Sequence, residues 1–93
     1  MAQFFAGEAL SVTTSSTSMT AATYSNANYA TVHVQVAPVR FRLDATAPTA
    51  TVGDILEVGD RLTLETADEI VRFRAIAKDG VSATLFCQYA VRT

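Results

Sequence analysis

The chain has little of what catalysis and metal binding require. Its 93 residues include one cysteine, one histidine and no tryptophan. The single cysteine, Cys87, excludes an intrachain disulfide and a cysteine-based zinc site, and within an apolar run it behaves as a small hydrophobe. The single histidine, His33, has no nucleophile and no orienting acid at a spacing typical of a catalytic triad. We therefore expect no enzymatic activity, no catalytic residue, no cofactor and no metal ion.

Positive charge and long apolar runs are also scarce. Seven basic residues face nine acidic ones, for a net charge of −2, whereas proteins that grip phosphate backbones usually carry a basic surplus. No apolar run approaches the ~20 residues that span a bilayer. Residues Met1–Leu10 lack the basic region and apolar run of a signal peptide. We expect a soluble product made in a cytosol, with neither nucleic acid nor membrane as partner.

What the chain does have is apolar residues at every second position. Between Tyr29 and Val36, the valines Val32, Val34 and Val36 alternate with polar residues, as in a half-buried strand. The same alternation recurs over residues 39–43, 61–65, 71–75 and 83–91, with weaker strands over 8–13 and 17–20.

Turn residues separate these runs, with Asp79-Gly80 as a hairpin signal and a proline-containing loop over residues 44–51. Short stretches at Val52–Val58 or Ala67–Ile70 are the helical candidates. The pattern predicts an all-β fold, a small antiparallel β-sandwich or barrel of about seven strands. We expect one domain over residues 1–93, with residues 1–28 as the candidate for a mobile N-terminal segment.

Three carboxylates recur at three-residue steps, Asp54, Glu57 and Asp60. They do not match a calcium-binding EF-hand loop, and catalysis by paired carboxylates needs two groups facing each other across a cleft. In loops around Gly53 and Gly59, these residues are typical of turns and caps.

The tetrapeptide Val-Arg-Phe-Arg occurs twice, at 39–42 and at 71–74. On strands, its arginines project from the face opposite the core, and we take them as candidates for a protein interface: Arg40, Arg42, Arg72 and Arg74. The alternative is an ordinary solvated face, with cross-strand ion pairs to Glu65, Asp68 or Glu69. Base stacking is disfavoured because Phe41 and Phe73 alternate to the opposite face.

The N-terminal end supplies a second interface candidate, the adjacent aromatic residues Phe4 and Phe5. Exposed aromatic side chains near a terminus are costly unless they are docked. They either contact a partner or pack back onto the chain's own sheet.

Several consecutive segments together resemble a known class of proteins. They are APVRFR at 37–42, DATAPTATVG at 44–53, LEVGD at 56–60, FRAI at 73–76 and SATL at 82–85. In this order they resemble small proteins encoded in the structural gene clusters of tailed bacteriophages. The resemblance covers roughly residues 29–90 and transfers no established functional residue.

The resemblance implies a compact β-rich virion protein, such as a capsid cement (decoration) protein, made in the host cytoplasm and incorporated into the particle. It implies the major capsid protein or another virion protein as partner, and a homo-oligomer such as a trimer. A head-spike, neck or tail component remains an alternative. A glycan- or receptor-binding module is another, for which Tyr24 and Tyr29 are the plausible exposed aromatics.

Overall fold

The computed structural model describes residues 2–44, 46–49 and 51–92, which form seven strands and two short helices. Met1, Thr93 and two positions of the predicted loop, Ala45 and Ala50, lie outside the described residues. In chain order the elements are β1 (Ala2–Val12), α1 (Ala21–Tyr24), β2 (Tyr29–Gln35), β3 (Val39–Arg42), β4 (Asp54–Leu56), β5 (Arg61–Leu64), α2 (Ala67–Arg72), β6 (Arg74–Ala77) and β7 (Ala83–Arg92).

The strands form two antiparallel sheets. One has four strands in the order β1-β7-β2-β5, and the other has three in the order β4-β3-β6. This confirms the predicted all-β fold of about seven strands, arranged as a sandwich of two sheets. Neither helix in the described part of the chain is long and apolar enough to cross a lipid bilayer.

Alternation along the strands builds the core between the sheets. In β7, Leu85, Cys87 and Tyr89 are fully buried, and the residues between them turn outward. From the three-stranded side, Phe41 stacks on Phe73 with 5.9 Å between ring centroids. Each large apolar side chain buried in this way contributes about 1.5–3 kcal/mol to folding.

The segment after β1 covers the outer edge of β6. Thr17 and Ala75 exchange two backbone hydrogen bonds of 2.8 and 2.9 Å, and the Ala77 N–H donates to the Thr13 carbonyl at 2.8 Å. Met19 is buried in the core. The weak strand predicted over 17–20 is therefore limited to a single bridge at Thr17.

The prediction that Val36 points into the core is wrong. β2 ends at Gln35, and Val36 is 72% exposed with a φ of 79°. The Ala37 N–H donates to the Gln35 carbonyl at 3.0 Å, which closes a three-residue γ-turn around Val36. A β-branched residue is strained at positive φ, so this turn stores local strain.

Two predictions of local structure around the helices are corrected. The strand predicted over 71–75 is wrong at its start, because Val71 and Arg72 belong to helix α2. The Thr66 hydroxyl accepts from the Glu69 N–H at 3.1 Å, and this cap begins the helix. The helical candidate at Ala67–Ile70 is thus confirmed, whereas the one at Val52–Val58 contains strand β4 instead.

One carboxylate joins β1, β7 and the loop before α1. Glu8 accepts a hydrogen bond from the Tyr89 hydroxyl at 2.5 Å. It also accepts from the Thr20 hydroxyl at 2.7 Å and the Thr20 N–H at 3.1 Å. Burial and the Glu8 carboxylate raise the pKa of Tyr89 well above its usual range, so the phenol remains a hydrogen-bond donor.

Replacing Glu8 by alanine should destabilise the fold by about 2 kcal/mol, because the buried Tyr89 hydroxyl loses its acceptor. Chemical denaturation of E8A, Y89F and the double variant measures the coupling between the two groups. We expect Y89F to cost less in the E8A background than in the parent. Strictly additive losses would contradict this role for the bond.

Replacing Val36 by glycine should raise the free energy of unfolding by about 0.5–1 kcal/mol, since glycine adopts positive φ without strain. The matched control is V81G, because Val81 is likewise exposed but does not have positive φ. Thermal or urea denaturation compares the two. An equal loss of stability in both variants would show that the turn is unstrained.

Candidate protein-contact surface

Strand β3 places two of the predicted arginines on the outer side of the three-stranded sheet. Val39 and Phe41 are buried, and the alternating Arg40 and Arg42 point away from the core. The Arg40 guanidinium donates to the Gly53 carbonyl at 3.0 Å. This bond holds the Arg40 side chain across the start of β4.

Arg42 forms an ion pair with Asp44 just beyond the end of β3. Its Nε donates to Asp44 Oδ1 at 3.1 Å, and its Nη2 contacts Oδ2 of the same carboxylate. The hydrogen bonds from Arg42 lower the pKa of Asp44, which keeps this carboxylate charged. An open depression of about 560 Å³ adjoins this pair.

Arg74 lies directly opposite Arg42, at the start of the neighbouring strand β6. Its Nη1 donates to the Phe73 and Val71 carbonyls at 2.9 and 3.1 Å. Two backbone carbonyls thus hold the Arg74 side chain at a strand position next to that of Arg42. The two arginines together present more positive charge than the single Asp44 carboxylate balances.

Apolar side chains complete this surface, because Ile55 of β4 and Ile76 of β6 lie on either side of Arg40. Ile55 is exposed and Ile76 is half-buried. We call these outward residues of the three-stranded sheet the arginine face: Arg40, Arg42, Arg74, Ile55 and Ile76.

Arg72 does not belong to the arginine face, which corrects the predicted ladder of four arginines. It ends helix α2 and pairs with Asp68 one turn earlier, at 3.3 Å. The alternative predicted cross-strand ion pairs, whereas the Arg72–Asp68 pair lies within helix α2 and Glu65 pairs with Arg92 at 3.5 Å. Exposed pairs of this kind contribute at most about 1 kcal/mol. The sequence feature that indicates a helix, and not a strand, before Arg72 is the Thr66-x-x-Glu69 capping sequence.

The second candidate, Phe4 and Phe5, lies on the other sheet. Phe4 packs edge-on against Tyr29 with 6.1 Å between ring centroids, and the Arg92 guanidinium lies 4.9 Å from the centre of the Tyr29 ring. The pairing of β1 with β7 shifts by one residue between Phe4 and Ala6, a β-bulge. Both phenylalanines nevertheless stay 48% exposed.

The remaining sequence candidates have structural environments of their own. Tyr24 packs edge-on against buried Tyr89, with 6.0 Å between centroids. Asp60 accepts a hydrogen bond from the Glu57 N–H at 2.8 Å, as expected of a turn former.

His33 lies opposite Phe86 of β7 and Arg61 of β5 on the outer side of the four-stranded sheet. Within the described residues, no three His, Cys, Asp or Glu side chains are grouped to hold a metal ion.

A scan against protein-family models found no match, and searches of curated proteins and of solved structures found none either. A function for this chain is therefore inferred from its own surfaces and from the resemblance of its central sequence.

Cys87 should be unreactive in the native protein. The side chain is fully buried, and burial, with the nearby Glu8 carboxylate, raises its pKa to about 12. Only the thiolate attacks alkylating agents. At mild alkaline pH, iodoacetamide labelling of the native chain should be at least about a hundredfold slower than labelling of the unfolded chain. Comparable rates measured by mass spectrometry would show that the core opens readily.

Proposed function

We propose that this chain is a non-enzymatic structural protein of a bacteriophage virion, acting as a capsid cement (decoration) protein. It binds the major capsid protein or a neighbouring virion protein and works as a homo-oligomer. The resemblance of residues 29–90 to phage structural proteins supports the location, and the arginine face supports protein binding.

The observation that carries the proposal is the way the arginine face is held in place. Contacts within the chain fix Arg40 on the Gly53 carbonyl, Arg42 on Asp44 and Arg74 on two backbone carbonyls. Fixed side chains lose less entropy on binding than mobile ones. A planar guanidinium suits bidentate bonds to a carboxylate, and the isoleucines on either side of Arg40 add apolar contact. An acidic protein surface is the partner that these features favour.

A cement protein requires a surface that fits the capsid and many contacts of modest strength, and it does not require a reactive group. Each copy bound to a lattice gains from its neighbours, because multivalent attachment makes individually weak sites tight. A small β-sandwich with an arginine surface meets that requirement.

Mass spectrometry of purified particles tests the proposed location through copy number. Cement predicts a stoichiometry comparable with that of the capsid protein, and deletion of the gene should lower the temperature at which particles release their DNA. A few copies per particle would indicate a neck or tail component. Absence from particles would refute the virion proposal as a whole.

The double variant R40A/R42A should remain folded and bind the capsid at least about tenfold more weakly, a loss of ~1.4 kcal/mol or more. Loss of the Arg40 bond to Gly53 should cost about 1 kcal/mol of stability, which leaves the fold intact. Circular dichroism checks the fold, and co-sedimentation with particles lacking the protein measures binding.

The matched control for this variant is R61A/R72A, which removes the same charge from two exposed arginines outside the arginine face. We expect this control to bind capsids like the parent. Equal weakening in both double variants would show that net charge, and not the arginine face, determines binding.

A further inference from the structure

Strand β1 leaves one long side of the four-stranded sheet without a partner. It is the terminal strand of that sheet, runs for 11 residues and pairs with β7 on one side only. Unpaired backbone N–H and C=O groups along such an edge can pair with another strand.

The register identifies which backbone groups face that open side. Val34 of β2 donates its N–H to the Asp60 carbonyl and accepts from the Gly59 N–H, so Val34 faces β5. Because backbone groups alternate in direction along an antiparallel strand, the N–H and C=O groups of His33 point toward β7. Its partner in β7, Phe86, therefore faces β2.

The residues of β7 on either side of Phe86, Leu85 and Cys87, therefore direct their backbone N–H and C=O groups toward β1. Their partners in β1 are Leu10 and Glu8. The alternate residues of β1 turn their N–H and C=O groups outward: Gly7, Ala9 and Ser11. All three are exposed, and no hydrogen bond from another described residue reaches these outward groups.

Two of the usual devices that block strand pairing, a basic side chain and a proline on the edge, are missing from β1. Lysine, arginine and proline do not occur between Ala2 and Val12. The single charged side chain, Glu8, is turned to the inner side by its bonds to Tyr89 and Thr20. The bulge between Phe4 and Ala6 comes before the regular part of the strand.

We propose that β1 pairs antiparallel with β1 of a second copy of this chain, about a two-fold axis at Ala9, so that two four-stranded sheets join into one. The regular part of the strand after the bulge is residues 6–12, and Ala9 is its midpoint. In this register Gly7 lies opposite the second copy's Ser11, and all three outward residues form narrow, hydrogen-bonded pairs.

Charge favours a second copy in this register. Centring the axis on Glu8 would place the two carboxylates opposite each other, which is destabilising. With the axis at Ala9, each Glu8 instead lies opposite Leu10 of the other copy. A self-complementary contact of this kind is the isologous interface of a two-fold dimer.

A dimer interface of standard size would cover only a small share of this chain's surface. A standard interface buries about 800 Å² on each partner, roughly a sixth of the 4869 Å² surface of this chain. The exposed parts of Phe4, Phe5 and Phe86 alone offer roughly 250 Å² beside β1. The open edge of an 11-residue strand adjoins these rings. This dimer is independent of the virion proposal and goes beyond the interface candidates Phe4 and Phe5.

Cysteine cross-linking tests the pairing and its register. In A9C the two introduced cysteines would lie opposite each other with Cα atoms about 5.5 Å apart, within the range of a disulfide. Mild oxidation should give a covalent dimer on a non-reducing gel. The control T63C places a cysteine on the open side of β5, at the far edge of the same sheet. A second control, S11C, tests the register, because Ser11 would lie opposite Gly7 and not opposite another Ser11. Both should remain monomeric on the gel.

Proline substitution tests whether dimer formation needs the backbone hydrogen bonds of this edge. The Ala9 N–H points away from β7, so A9P removes no bond within the chain, and edge strands tolerate proline. Sedimentation velocity should show the dimer dissociating at a concentration at least about tenfold higher for A9P than for the parent. T63P, the matched change at the β5 edge, should dimerise like the parent.

Hydrogen exchange on the unmodified protein does not depend on any variant folding. The amides of Gly7, Ala9 and Ser11 should exchange more slowly as protein concentration rises, while that of Thr63 stays unchanged. A parent that is monomeric or trimeric at every concentration would overturn the pairing. So would cross-linking of S11C or T63C without cross-linking of A9C.

Discussion

Strand β7 must satisfy three requirements at once, and the rest of the molecule is arranged around it. Its backbone pairs with β1 on one side and with β2 on the other, while Leu85, Cys87 and Tyr89 fill the core. A buried strand of this kind exposes almost no backbone to water, because both of its edges are paired. Among these side chains Tyr89 carries a hydroxyl inward, and Glu8 accepts its hydrogen bond.

Alternation in the sequence was sufficient to predict most of this sheet. The runs around Val32 and Leu85 have one apolar and one polar face, and each became a strand with the expected side buried. The pattern failed where local geometry overrides it. Val36 continues the alternation in sequence, but the chain must turn before Pro38, so the side chain is expelled to solvent. At residues 67–72 the threonine cap favours a helix more strongly than two alternating residues favour a strand.

The arginine face was predictable only in part, for a similar reason. Arg40 and Arg42 follow from the alternation around Phe41, and their outward direction is what the sequence indicates. That Arg74 lies beside Arg42 depends on the pairing of β3 with β6, which single-sequence patterns do not specify. The open edge of β1 is likewise a property of strand order. Alternation identifies a strand but not its neighbours.

The pairing of the first strand with the last has a consequence for synthesis of the protein. β1 is translated before the other six strands of this fold and its hydrogen-bonding partner β7 after them, with Ala2 opposite Arg92 in the finished sheet. Contacts between such distant segments form slowly. A nascent chain therefore carries an unpaired apolar strand until β7 has been translated, and in that interval β1 can be exchanged with the same strand of a neighbouring nascent chain.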